Sequence, residues 1–165
     1  MYNKLNEELE EITTNILVQY DMLKTPVDVV EIANQLEIEI YETKLKNEIS
    51  GAIRYDKNSK KFEIMINESN SPRRKRFTIA HELGHYFLHK QYLEDGSMHI
   101  DVLYRNSENK LDEQRIDYFA GALLMNKILV EKFSQITDSV TELAEIFDVS
   151  ESAMIVRLNI LGLLK

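Results

Sequence analysis

Apolar residues Leu5, Leu9, Ile12 and Ile16 recur at spacings of three and four, with Leu17 and Tyr20 extending the stripe. This period predicts an opening amphipathic helix. Thr25-Pro26-Val27-Asp28 reads as a second helix start, with Thr25 as N-cap, Pro26 in the first helical position and Asp28 facing the positive end of the helix dipole. Val29, Val30, Ile32, Ala33 and Leu36 would form the buried face of that helix. From Ile38 the period drops to two: Ile38 and Ile40 alternate with Glu37 and Glu39, as in a half-buried strand. After Ser50-Gly51, the runs 52–55 and 62–66 flank a polar segment at 56–60 and predict a β-hairpin. Ser71-Pro72 repeats the cap-plus-proline signal and opens a helix that should continue to about Leu88. Residues 91–110 are polar, contain Gly96 and predict a loop; another helix should run from about Leu111 to Met125. Two short amphipathic helices close the chain. Ser139-Val140-Thr141-Glu142 matches a capping box for the first, Ser150 is a good N-cap for the second, and Gly162 stops it.

Composition narrows the function classes. A chain of 165 residues, 44% hydrophobic and 29% charged, has the balance of a globular protein rather than a disordered one. The expected organisation is a main domain over residues 1–135, with N-terminal helices and the hairpin, and a C-terminal helical element over 136–165 packed on the same domain. Lys plus Arg total 20 against 28 Asp plus Glu, a net charge of -8, which excludes a generic nucleic-acid coat. The C-terminal helix pair has the length of a helix-turn-helix. However, Asp138, Glu142, Glu145, Asp148 and Glu151 face only Arg157 and Lys165 there, so packing or docking is expected and direct nucleic-acid reading is not. The basic run Arg73-Arg74-Lys75-Arg76 reads as a solvated first helical turn bridged to acidic residues of the N-terminal region. Cysteine is absent, which excludes disulfides, thiolate metal sites and cysteine nucleophiles. No apolar run reaches the roughly 20 residues of a membrane span, and the acidic N-terminus is unlike a secretory signal. A cytoplasmic protein with no membrane partner is expected.

His81-Glu82-Leu83-Gly84-His85 matches the H-E-x-x-H pattern of zinc hydrolases. Residues four apart on a helix differ by about 40° around the axis and about 6 Å along it, so two imidazoles can reach one ion from one face. Glu82 sits about 100° from His81, near such an ion without ligating it, where it can take a proton from the attacking water. The flanks Phe77-Thr78-Ile79-Ala80 and Tyr86-Phe87-Leu88 are apolar nearly all round, which predicts a buried central helix. Gly84 inside that helix costs about 1 kcal/mol against Ala and so points to a packed metal-site helix.

A catalytic zinc (Zn2+) needs a third protein ligand and one open position. Glu113, at the start of the next predicted helix and backed by Ile116, Phe119, Ala120, Leu123 and Leu124, is the favoured third ligand. Asp117, one turn on, is next in line and suits an acceptor for a ligand imidazole N–H. His89 continues the four-residue series but lies about 80° around from His81 and two turns away, a poor geometry for one ion. Asp112 and His99 could serve only in a different helix register. Tyr118, Arg115 and His99 are candidates for steadying an oxyanion, and the edge of the 62–66 run could align an extended peptide by strand addition.

The run from Arg76 through His89, with Glu113 and Phe119-Ala120-Gly121-Ala122-Leu123-Leu124-Met125, resembles the ImmA/IrrE-type metallopeptidases. Weaker matches are Pro26-Val27-Asp28, Ser50-Gly51-Ala52 and the stretch from Leu143-Ala144 to Arg157-Leu158. Arg115 stands where the family pattern has a second acid, Asp117 where it has Asn, and Asn126 where it has Pro. The resemblance implies an α+β, gluzincin-like fold, with the active-site helix packed on a small mixed or antiparallel sheet and the rest mostly helical. It also implies a zinc-dependent endopeptidase whose protein substrate is a helix-turn-helix transcriptional repressor of a mobile element or stress regulon. The alternative is a regulatory partner that binds such a repressor without cleaving it, a role that would not need Glu82.

Overall fold

The structure, a computed structural model, describes residues 2–46, 48–96 and 110–165. The described elements are α1 (Tyr2–Gln19), α2 (Val29–Gln35), β1 (Glu39–Thr43), β2 (Gly51–Asp56), β3 (Lys61–Asn67), α3 (Pro72–Asp95), α4 (Lys110–Leu124), α5 (Lys127–Ser134), α6 (Val140–Phe147) and α7 (Glu151–Leu161). They fall into two compact units, residues 29–117 and residues 1–28 with 118–165; α4 contributes residues to both. The fold is α+β, mostly helical with a small three-stranded mixed sheet.

In the unit of residues 29–117 the sheet order is β1-β3-β2, with β1 parallel and β2 antiparallel to the central β3. Phe62, Ile64 and Ile66 alternate into the core, as a period of two requires. The hairpin between β2 and β3 forms as expected: the Asp56 carboxylate accepts from the backbone N–H groups of Asn58 (3.0 Å) and Ser59 (3.2 Å). The expectation that the 62–66 run is an edge does not hold. β3 is paired on both sides, so its backbone groups are taken and the edges belong to β1 and β2.

Helix α3 lies against the sheet. Its start is as predicted: Ser71 Oγ accepts from the Arg74 N–H (3.3 Å) and Pro72 occupies the first helical turn. Lys75 pairs with Glu42 of β1 at 2.8 Å and Arg74 donates to Ser50 Oγ at 3.0 Å, in line with the expected bridging of the basic run. The helix does not stop near Leu88 but runs on to Asp95, because nothing before Gly96 breaks it and Leu93 is buried. Gly96 adopts φ 75°, a left-handed cap that glycine enters without a Cβ clash. Gly51 matters for approach rather than for φ. A Cβ there would stand 2.4 Å from Thr78 Cγ2 and 2.7 Å from the Met65 carbonyl oxygen, so only glycine lets β2 begin this close to α3, one turn ahead of His81. Helix α2 begins at Val29, not at Pro26. The Thr25 hydroxyl donates to the Ile146 carbonyl (2.8 Å) instead of capping a helix, and Val30 is exposed rather than buried.

In the unit of residues 1–28 and 118–165, Leu9, Ile16 and Leu17 of α1 are buried, as are Phe119, Leu123 and Leu124 of α4 and Phe147 of α6. Helix α5 was not anticipated. Asn126 accepts the Ile128 N–H at its start (3.0 Å) and donates to Thr14 Oγ1 (2.9 Å), a cap signal obscured because the position reads as a missing proline. The box at α6 is half formed. Ser139 Oγ accepts from the Glu142 N–H, while the Glu142 carboxylate takes the Thr137 hydroxyl rather than reaching back to the Ser139 N–H. Ser150 caps α7 and Gly162 ends it, as predicted. Arg157, read as one of two bases on the C-terminal pair, is buried: it grips Glu10 with two bonds (2.7 and 2.9 Å) and the Met125 carbonyl with a third (2.8 Å). Among the described residues, no helix is long and apolar enough to cross a membrane.

Candidate metal centre

The candidate site lies within residues 29–117, on α3 and the start of α4. His81, Glu82 and His85 are buried on α3. The helical repeat brings the two imidazoles to one face, with ring centroids 5.1 Å apart. Glu113, in the first turn of α4, presents its two oxygens to them: Oε2 is 3.3 Å from His81 Nε2 and Oε1 is 3.6 Å from His85 Nε2. One donor atom from each of His81, His85 and Glu113 lies within 4.8 Å of the other two. The far nitrogen of His81 is 2.9 Å from Asp117 Oδ1, which orients the ring.

The electrostatics are lopsided. Burial works against the charge of His81, but the hydrogen bonds to Asp117 and Glu113 and the nearby Glu82 outweigh it, and His81 is pushed up to about 10. His85 is pushed down to about 3, by burial and by the neighbouring His81 and His89. Neither ring nitrogen of His85 has a hydrogen-bond partner among the described residues, although both are buried. Leaving a buried polar atom unpaired costs about 1–3 kcal/mol, and a divalent cation held by His85 would satisfy one of the two nitrogens. Two imidazoles, once neutral, and a carboxylate would be a donor set suited to a divalent cation such as zinc. The residues therefore fit the ion.

The other sequence candidates are placed as follows. His89 and Asp112, each weighed separately as a ligand, meet each other at 3.3 Å. The signal for that pairing was present in the continued four-residue series and in Asp112 adjoining Glu113. The Tyr118 hydroxyl donates to Glu10 at 2.7 Å; desolvation and that bond push it up to about 12. Arg115 has a buried Nε with no hydrogen-bond partner among the described residues. His99 lies outside the described residues.

Fold and site together define an α+β protein in which a His-Glu-x-x-His helix meets a carboxylate from the next helix. The chain belongs to the ImmA/IrrE-type family: the model of the IrrE N-terminal-like domain (peptidase M78) matches residues 33–159. It is 30% identical over 122 residues to metallopeptidase ImmA of Bacillus subtilis (strain 168), covering 72% of this chain and 69% of that protein. Among solved structures it resembles a Mycobacterium tuberculosis transcriptional regulator, with a TM-score of 0.66 and 17% identity over 96% of this chain. The chain spans about half (49%) of the length of that structure, and at this identity the likeness concerns the fold alone.

Proposed function

We propose that the chain is a zinc-dependent endopeptidase, with His81, His85 and Glu113 holding the ion and Asp117 fixing the His81 ring. The observation that carries this reading is the convergence of three donor atoms within 4.8 Å, with Glu82 buried beside them on the same helix. Zinc, when bound, acidifies its water and polarises the scissile carbonyl. Glu82 accepts the proton of the attacking water and delivers it to the departing amine nitrogen. Asp117 holds the His81 Nδ1–H, so that Nε2 stays turned toward the ion. An extended substrate segment pairs with the outer edge of β2, the edge strand that Gly51 lets begin against α3.

The substrate in this reading is a helix-turn-helix repressor of a mobile element or stress regulon, cleaved in the cytoplasm. The support is the family membership and the similarity to metallopeptidase ImmA. Residues 1–135 would carry the chemistry and 136–165 a packing or docking element. The test is co-expression with the repressor encoded beside the gene. Wild type yields repressor fragments; Glu82→Gln binds zinc as tightly and yields none. Equal loss of repressor with both would mean that the protein acts by binding rather than by hydrolysis.

A further inference from the structure

We propose that His89 and Asp112 are a positioning pair that fixes the first turn of α4, and through it the Glu113 carboxylate, against His81 and His85. The proposal rests on the reading of Glu113 as a zinc ligand and adds the device that sets it in place.

The geometry is a short ladder between two helices. On α3, His81, His85 and His89 follow at one-turn intervals, with ring centroids 5.1 Å and then 5.8 Å apart. On α4, Asp117, Glu113 and Asp112 answer them in reverse order: His81 meets Asp117 at 2.9 Å and Glu113 at 3.3 Å, His85 meets Glu113 at 3.6 Å, and His89 meets Asp112 at 3.3 Å. The upper rungs belong to the metal site. The last one does not, because the donor cluster contains His81, His85 and Glu113 and not His89.

His89 is buried and its Nε2 stands 3.3 Å from the Asp112 carboxylate oxygen, so Nε2 is the nitrogen placed to donate. Its Nδ1 is also buried and has no hydrogen-bond partner among the described residues. Among the described residues the ring's polar contact is thus with the residue preceding Glu113. The location makes this consequential. Asp112 and Glu113 lie in the first described turn of α4, at the end of the helix that carries Glu113 toward α3. Glu113 itself has three side-chain torsions between its backbone and its carboxylate. Among the described residues its ion-pair partners are the two imidazoles it would share with the ion. A bond from the neighbouring residue to the buried face of α3 restrains the backbone from which that carboxylate hangs. Supporting residues that hold a ligand in place commonly account for about 10–100-fold in metal affinity.

The experiment measures zinc affinity by competition with a chromophoric chelator, and the visible absorption of the cobalt(II)-substituted protein as a reading of ligand geometry. Asp112→Ala and His89→Leu should each weaken zinc binding about 10–100-fold and lower the intensity of the cobalt bands. The double variant should be no worse than either single one, because both remove the same bond. His89→Gln, which keeps an N–H near the Nε2 position, should stay within about threefold of wild type. Rescue by Gln and the cobalt spectrum separate positioning from general loss of packing. Should Asp112→Ala fail to fold, the milder Asp112→Asn carries the test, with a loss smaller than that of His89→Leu. Unchanged affinity and spectrum in the single variants, or losses that add in the double, would overturn the pair. Glu113→Ala in the same assay keeps the two readings apart. If it binds zinc like wild type, Glu113 is not a ligand and both readings fall; if it loses zinc while the pair variants do not, only the positioning role fails.

Discussion

The raised His81 imidazole makes the metal-free protein alkali-sensitive in a way that zinc should abolish. In the folded metal-free state His81 holds its proton up to about pH 10, whereas an unfolded histidine releases it near 6.5. A folded value above the unfolded one stabilises the fold fully below pH 6.5, and that contribution is lost as pH rises toward 10. Between pH 7.5 and 9.5 the folded state carries one more proton on His81 than the unfolded state. Stability should therefore fall by about 1.4 kcal/mol per pH unit, or about 3 kcal/mol over that window. For a chain of this size this corresponds to a melting temperature roughly 6–12 °C lower. The ion needs the neutral ring and displaces the proton, so the zinc-loaded protein lacks this limb and zinc stabilisation grows with pH. The assay is thermal unfolding at pH 7.5, 8.5 and 9.5 with chelator or with excess zinc. Asp117→Asn serves as the control that flattens the chelated series, because its carboxylate is the foremost group holding the proton. A chelated wild-type protein equally stable at pH 7.5 and 9.5, or an Asp117→Asn variant with an undiminished slope, would refute the reasoning.

Other expectations follow from packing. Gly51→Ala forces a Cβ to within 2.7 Å of the Met65 carbonyl oxygen, so β2 must shift; we expect a loss of about 1–3 kcal/mol in denaturant unfolding and weaker peptide cleavage, while an unchanged midpoint would contradict the close approach. Arg157→Ala takes the guanidinium from a half-buried Glu10 carboxylate, which keeps only the Tyr118 hydroxyl, and from the Met125 carbonyl, and should destabilise the protein by about 1.5–3 kcal/mol in the same assay. Arg157→Lys should recover little of this, since one ammonium cannot reproduce a two-bond grip on Glu10 together with the bond to Met125.

Much of the site could be read locally. The four-residue spacing of His81 and His85 is a property of the helix itself, and the caps Ser71 and Ser150 depend on backbone groups three residues away. Glu113 was legible as well, because an acid at a helix start with an apolar face behind it has one evident way to dock. Local signals failed where another part of the chain competed for the same atoms. Thr25 is well placed to cap a helix, but its hydroxyl goes to Ile146. Residues 62–66 have a strand pattern that cannot say whether both edges are taken, and β1 and β2 take them. Helix α5 went unseen because Asn126 gains its role from Ile128 and Thr14 together.

By itself the sequence determined most of the periods and caps, the His-Glu-x-x-His spacing on α3 and the absence of thiols, since each depends on residue type and short spacing. Tertiary structure alone decided which strand is central, and that Arg157 closes on Glu10 across 147 positions of chain. The physical reason is that these pairings satisfy buried polar groups, and which groups are buried together is settled only when distant segments share one core.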